Sequence, residues 1–267
     1  MNTPEQIFSE FYEKWILRLE EIVLELLQTI RARNQMVIVD SKLQALLSKA
    51  TSHMKQFYTT KWGIAKQDCL PFFTPTWLTP FENSYLWVTG FKPSTVVFPL
   101  IDSMTIPPLR GVASPPFLLT PEQVRQIEKL RIKTWMEEQR VEREIQRIHV
   151  CWSVADRRMA ELAQLALQVK DQLHGDLRVA QINGQMEFEI KQIIVALENA
   201  MKHADCVRLV SLKELQDILN PMQYMEFLDS FLSQQLRLRQ WGRTRLMGTV
   251  AGGAAGPVTA NGTPYTR

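Results

Sequence analysis

The stretch 8–30, FSEFYEKWILRLEEIVLELLQTI, carries apolar side chains at Phe8, Phe11, Trp15, Leu19, Ile22, Leu26 and Ile30. Steps of three and four keep these residues on one side of a helix, so the spacing predicts an amphipathic helix of about six turns. A stripe of that length, left uncovered, would mark a partner helix or a dimer. The same period recurs downstream. A second helix opens near Asp40 with Leu43, Leu47, Ala50, Met54 and Phe57 on one face. Later stripes run through Val141, Ile145, Ile148 and Trp152, then Met159 to Leu173, Met186 to Met201, and Met225 to Leu236. No run alternates as a strand would, so the fold class is all-α, a single multi-helix bundle.

Helix starts are written in side-chain chemistry. Thr79-Pro80-Phe81-Glu82 and Thr120-Pro121-Glu122-Gln123 each place a hydroxyl at the cap, proline in the first turn and Glu or Gln at the third position. That arrangement satisfies amides that have no partner within the helix. Asn220-Pro221 repeats the logic, and Ser211-Leu212-Lys213-Glu214 offers a fourth capping box. Gly90 and Pro93 punctuate a break between two short helices; His174-Gly175-Asp176 and Asn183-Gly184 predict turns. Pro107, Pro108, Pro115 and Pro116 around Gly111 mark a Pro-rich internal loop, 103–120. The domain is read as 7–245 and the Gly, Ala and Thr-rich 246–267 as a flexible tail.

The chain has 267 residues, 31 Lys plus Arg against 28 Asp plus Glu, and 45% hydrophobic residues, enough for a sizeable core. Its net +3 hides an asymmetry: residues 230–267 hold five arginines and no acid, leaving −2 for the rest. Arg237, Arg239, Arg243 and Arg245, beside Trp241, form a candidate basic patch; the other reading is a helix end favoured by the helix dipole, or a localisation signal. Three cysteines, at 69, 151 and 206, are too few and too scattered for a disulfide framework or a zinc knuckle. No membrane span and no secretory leader are expected.

The sequence holds no phosphate-binding glycine loop, no nucleophile elbow and no helical HExxH, so no catalytic residue, cofactor site or metal site is assigned. His203 and Cys206 have the spacing of a helical ligand pair, but two donors are not a site, and a buried cysteine beside a surface histidine is expected. Glu137, Glu138, Glu142 and Glu144 among Arg140, Arg143 and Arg147 read as a solvated helix face laced by charge pairs. Residues 122–148 carry seven basic and six acidic side chains, too even a mixture for a helix that reads duplex DNA.

The segment 57–101 is the most distinctive. Phe57, Tyr58, Phe72, Phe73, Trp77, Phe81, Trp87 and Phe91 read first as hydrophobic core and second as an apolar pocket or partner groove. The run His53, Tyr58 and Lys61, then Trp77, Thr79 and Glu82, then Leu86, Trp87, Gly90, Phe91, Lys92, Pro93 and Ser94 resembles the plant delay-of-germination, or seed dormancy control, domain. That domain also forms the C-terminal half of the TGA-type leucine-zipper transcription factors. The close Leu236-Arg237-Leu238-Arg239-Gln240-Trp241-Gly242 is similar to that of zipper-less members. Met54 stands where the family often has tyrosine, and no zipper precedes Ile7, so the chain looks like a stand-alone member.

The resemblance implies a non-enzymatic, all-helical regulatory module linked to control of transcription and to abscisic-acid and developmental signalling. It implies protein partners, either transcriptional co-regulators or signalling phosphatases, with a homodimer as a further option, and residence in the nucleus or cytoplasm. Without the zipper it does not carry direct DNA binding over. Two other functions compete. A bundle rich in Trp, Phe and Met could sense a flat or fatty ligand near His53 or His203. The basic close could contact phosphate, as in a sequence-specific DNA-binding regulator.

Overall fold

The computed structural model describes residues 2–32, 40–105, 118–169 and 175–252. These form seven α-helices: α1 (Pro4–Ala32), α2 (Asp40–Ala65), α3 (Pro80–Asn83), α4 (Pro93–Thr105), α5 (Pro121–Val169), α6 (Gly175–Ile218) and α7 (Pro221–Gly252). A 3-10 turn, Leu70–Phe72, follows α2. The described residues contain no β-strand, only an isolated bridge between Trp87 and Gly90.

The opening stripe is covered. Phe8, Leu19, Ile22 and Leu26 of α1 are buried with Leu47, Ala50 and Met54 of α2 and with Phe227, Leu228, Phe231 and Leu232 of α7. Val97, Phe98 and Ile101 of α4 and Leu212 and Leu215 of α6 complete this core. Phe8 is its aromatic hub, with ring centroids 4.7 Å from Phe72 and 4.8 Å from Trp77. Burying each such ring stabilises the fold by about 1.5–3 kcal/mol.

The capping chemistry forms at the three proline-bearing starts expected from the sequence. The Thr79 amide donates to Glu82 Oε2 at 2.7 Å while Thr79 Oγ1 accepts from the Glu82 amide at 3.2 Å. Thr120 with Gln123 and Asn220 with Gln223 make the same reciprocal pairs. Thr3 with Gln6 does so at the start of α1, a box that the sequence reading passed over.

Other boundaries differ. Ser211 caps nothing: it lies inside α6, and its hydroxyl donates to the Val207 carbonyl at 2.7 Å. Asn183-Gly184 is also interior to α6, where the surrounding helix formers and the α5 contact override the local turn preference. The last helix runs on to Gly252, past the expected tail boundary at 245. The core of the Pro-rich loop, 106–117, lies outside the described residues, as do 253–267.

α5 and α6 are the long elements, 49 and 44 residues. They run antiparallel, as the ladder Lys133–Glu214, Thr134–Ser211, Glu144–His203 and Arg158–Glu189 shows. At about 1.5 Å per residue α5 is about 73 Å long, far longer than the bundle needs. Its first half packs on the core. Among the described residues, no side chain between Ala155 and Ile193 is buried, so the distal half is a two-helix arm.

Candidate functional site

The motif residues converge where α2, the 77–94 segment, α5, α6 and α7 meet. Tyr58, Lys61 and Trp62 lie on one face of α2, and that face meets Asp205 and Arg208, one turn apart on α6. Lys61 Nζ donates to Asp205 Oδ1 at 2.9 Å and to Thr89 Oγ1 at 2.7 Å. Trp62 Nε1 donates to Asp205 Oδ2 at 2.9 Å, and Arg208 Nη1 donates to Asp205 Oδ1 at 2.6 Å. Lys61, Asp205 and Arg208 are all fully buried. One carboxylate thus faces two cations in a dry site. Burial pushes the Lys61 ammonium down to about 8, against the pull of Asp205.

Arg208 holds the turn that carries the motif. Its guanidinium donates to the carbonyls of Phe91 at 2.7 Å and Val88 at 2.8 Å, and to that of Trp87, and it lies against the Trp87 and Phe91 rings. Val88 and Thr89 sit at φ 40° and 64°, a region that β-branched residues rarely enter. Five donor bonds from Lys61 and Arg208 to their carbonyls and hydroxyl and to the neighbouring carbonyls hold them there. Gly90 is required by approach: a Cβ there would stand 2.8 Å from Arg208 Cζ.

Lys92, Pro93 and Ser94 dock on α5. Lys92 Nζ donates to Glu142 Oε1 at 2.6 Å, as does Trp87 Nε1 at 3.1 Å. The Ser94 amide, in the first turn of α4, donates to Glu138 Oε1 at 2.7 Å. Glu138 is therefore buried, and Glu142 is half-buried; burial raises the Glu142 carboxyl, but the bonds from Lys92, Trp87 and Gln139 lower it overall. These two residues correct the expectation of a solvated α5 face. Spacing within one helix cannot reveal that a second helix starts against it.

The basic patch also separates. Arg239 is buried, donating to the Trp77 carbonyl at 3.1 Å, pairing with Glu82 and Glu13, and lying over the Tyr12 ring. Arg243 pairs with Glu13 Oε2 at 2.9 Å, and Arg237 is exposed. The four arginines are thus no single phosphate-facing surface: the second of them is a core residue, and Glu13 offsets the third. Gly242 lies so close to Thr79 that a Cβ would meet its Oγ1 at 2.0 Å, which seats α7 on the α3 cap.

His53 stacks on Trp15 with centroids 4.8 Å apart and contacts its carbonyl, and burial holds its imidazole below the ordinary value. His203 meets Glu144 at 3.1 Å and Glu137 at 3.6 Å, while Cys206, expected to be buried, is exposed. No group of three or more His, Cys, Asp or Glu among the described residues could hold a metal.

A cavity of about 700 Å³ lies between the 77–91 segment, α4 and α7. Phe57, Phe91, Val96, Leu100 and Phe231 are among its walls, and the Lys61–Asp205–Arg208 cluster is at its floor. Tyr85 and Trp241, 59% and 58% exposed, stand at its rim. Asp205 and Arg208 were missed by sequence reading. The available signal was an i, i+3 acid–base pair interrupting the apolar face of α6 between Met201 and Leu212.

The family model described as seed dormancy control matches residues 22–103. Protein DOG1-like 4 of Arabidopsis thaliana is 39% identical over 244 residues, which span 91% of this chain and 95% of that protein. Protein ZW2 of the same plant is 29% identical over 250 residues, 91% of this chain and 99% of that one. Transcription factor TGA2.3 of Oryza sativa subsp. japonica is 24% identical over 232 residues, 87% of this chain and 62% of the factor.

Proposed function

The chain belongs to the seed dormancy control family, and from that premise we propose that it is a non-enzymatic plant regulator acting through protein contacts in transcriptional and abscisic-acid-type developmental signalling. The observation that carries the reading is how the motif's polar side chains are used. Lys61, Thr79, Glu82, Lys92 and Arg239 make internal hydrogen bonds, while at the rim of the cavity beside them the rings of Tyr85 and Trp241 are left exposed. Such a frame fixes a surface and positions no nucleophile, acid or base on a substrate. Exposed aromatic rings on a rigid base are the usual anchors of protein recognition. Relatives named for a response to abscisic acid and salt, and as TGA factors, support the setting. The unit that carries it is 7–245, the partners are transcriptional co-regulators or signalling phosphatases, and the place of action is the nucleus or cytoplasm.

Proximity labelling in the plant's own tissue tests this. The intact chain should mark nuclear or signalling proteins, and Trp241→Ala should lose at least part of that set while staying folded. A set with no such proteins, or one that Trp241→Ala leaves unchanged, would overturn the reading.

The cavity favours a second reading, a small apolar ligand seated above Lys61. Native mass spectrometry of protein purified from its source should then show a retained mass, released on denaturation. A bare polypeptide mass would remove this reading and leave the first intact.

A further inference from the structure

The outward face of α5 is more basic than the composition of the helix suggests. Between Lys129 and Arg147 every acid is engaged within the molecule. Glu138 is buried against the Ser94 amide, and Glu142 accepts from Lys92 and Trp87. Glu144 meets His203, and Glu137 pairs with Arg140 at 2.6 Å. Two of the cations turn sideways as well, Arg131 to Asp102 of α4 and Lys133 to Glu214 of α6. Lys129, Arg143 and Arg147 are exposed, and none of them has a carboxylate within ion-pair distance among the described residues. Ile132, with Trp135 and Met136 three and four residues on, makes an apolar turn on the same helix, and the three are 60%, 54% and 49% exposed. Met136, Arg143 and Arg147 follow at steps of seven and four, so the apolar turn and the two free guanidiniums share one side.

We propose that this face is a docking surface for an acidic amphipathic helix of a partner protein, with apolar side chains of the partner on Ile132, Trp135 and Met136 and its carboxylates on Arg143 and Arg147. It is a second surface for the protein contacts proposed above and rests on that reading; none of these five residues lines the cavity under Tyr85 and Trp241. Trp, Met and Arg are the residues that interfaces gather, with Trp and Arg prominent among the anchors. The inner half of α5 is seated on the bundle through the buried Ile127, Leu130 and Val141, so the surface is presented on a fixed base.

The layout of the face selects the partner. Along the axis Met136 stands about 10 Å from Arg143 and about 16 Å from Arg147, at about 1.5 Å per residue. Apolar and basic groups thus succeed each other along the helix. A helix that lies on a membrane segregates them across its width, so that the apolar side alone enters the lipid. Here a flat bilayer would meet Ile132 and Arg143 at the same depth. Nucleic acid fits no better. Lys129, Arg143 and Arg147, spread over about five turns, can neutralise few phosphates, and the exposed apolar turn gains nothing on a phosphate backbone. A second helix can match both parts, since it can carry its own apolar turn and place acids two and three turns further on.

Fluorescence anisotropy of the full chain with a labelled helical peptide tests the proposal. The probe has about 18 residues, an apolar turn of Leu and Ile, and Glu two and three turns on along the same face. It should bind with a dissociation constant on the order of 10–100 µM, in keeping with a small interface, and more weakly as salt rises. Arg143→Glu with Arg147→Glu, both at exposed positions, should weaken it by about tenfold or more, and Trp135→Ala should weaken it several-fold. The decisive arm replaces the Glu of the peptide by Lys. That peptide should ignore the native chain and bind the doubly substituted one, a swap that loss of folding cannot produce. A peptide of the same composition with its acids on the opposite face should bind at least about tenfold more weakly than the first. Trp241→Ala should leave the binding unchanged. A native chain that does not bind at about 500 µM, well above the affinity such an area gives, would overturn the proposal. So would equal binding of the two acidic peptides, a failed charge swap, loss of binding in Trp241→Ala, or a preference for a DNA duplex or phosphatidylserine vesicles. Any of these leaves the proximity-labelling result at the cavity rim as it stands.

Discussion

Gly90 and Gly63 make opposite predictions because one faces a guanidinium and the other faces water. A methyl group at position 90 would press on Arg208, which cannot retreat without leaving the carbonyls of Trp87, Val88 and Phe91. Gly90→Ala should therefore destabilise the protein by about 1–3 kcal/mol, the range for overpacking a filled site. Gly63, within α2, has open space around its Cα. Gly63→Ala should stabilise by about 0.5–1 kcal/mol through helix propensity. Urea titration of both variants gives the two signs directly; equal signs would contradict the packing. Lys61 makes a different kind of prediction. Its ordinary value of 10.5 is pushed down to about 8 in the fold. Between those pH values the unfolded chain holds a proton that the folded chain has released, so the lysine's contribution to stability rises with pH across that window. In Lys61→Met this contribution is gone. The melting temperature of the native chain, relative to the variant, should climb from pH 7.5 to pH 9.5, each value being within the window of about 8 to 10.5 or at its edge. A constant difference would show that the ammonium does not titrate there.

Elements form here where their ends are settled locally, and this is the part of the fold that sequence shows best. Thr79 with Glu82, Thr120 with Gln123 and Asn220 with Gln223 are each three residues apart, so the cap can be recognised without knowing anything else. Glu138 and Glu142 illustrate the limit. Their partners, Ser94 and Lys92, are 44 and 50 residues away, and nothing in the α5 charge pattern distinguishes them from the exposed Arg140 or Arg143. Asp205 and Arg239 reach even further, to Lys61 and Trp77. The motif residues were legible as a group, but their task, holding a turn at positive φ, was not. Asn183-Gly184 failed for the opposite reason: a strong local turn signal lies in a helix that its neighbours impose. Since Gly184 is interior to α6 with no atom near its missing Cβ, Gly184→Ala should raise the melting temperature, by the equivalent of up to about 1 kcal/mol. A fall would place a turn there after all.

Across the whole molecule, burial is uneven, and stability should follow it. The core joins α1, α2, α4 and α7 with the inner halves of α5 and α6; the arm beyond Ala155 buries no described side chain. In hydrogen-exchange mass spectrometry, amides of 156–169 and 178–192 should exchange faster than those of 127–148 and 197–215 by at least an order of magnitude, because they open without breaking the core. Equal protection of arm and core would mean that the bundle reaches further than the burial pattern shows.

The clamp on the 87–91 turn also sets a timetable. Lys61 and its carboxylate partner are separated by 144 residues, and Trp77 and the arginine on its carbonyl by 162. A ribosome adding about 5–20 residues per second delivers Asp205 roughly 7–30 s after Lys61. During that interval α2 and the turn can be helical and capped, yet the lysine has no anion to accompany it into the interior, and Val88 and Thr89 have nothing to hold them in their uncommon conformation. Burial of the charge and locking of the turn therefore belong to the end of synthesis, when α6 and α7 arrive. The aromatic segment by which the family is recognised is made early and becomes native late, and over that interval it needs shelter from chaperones or from α1.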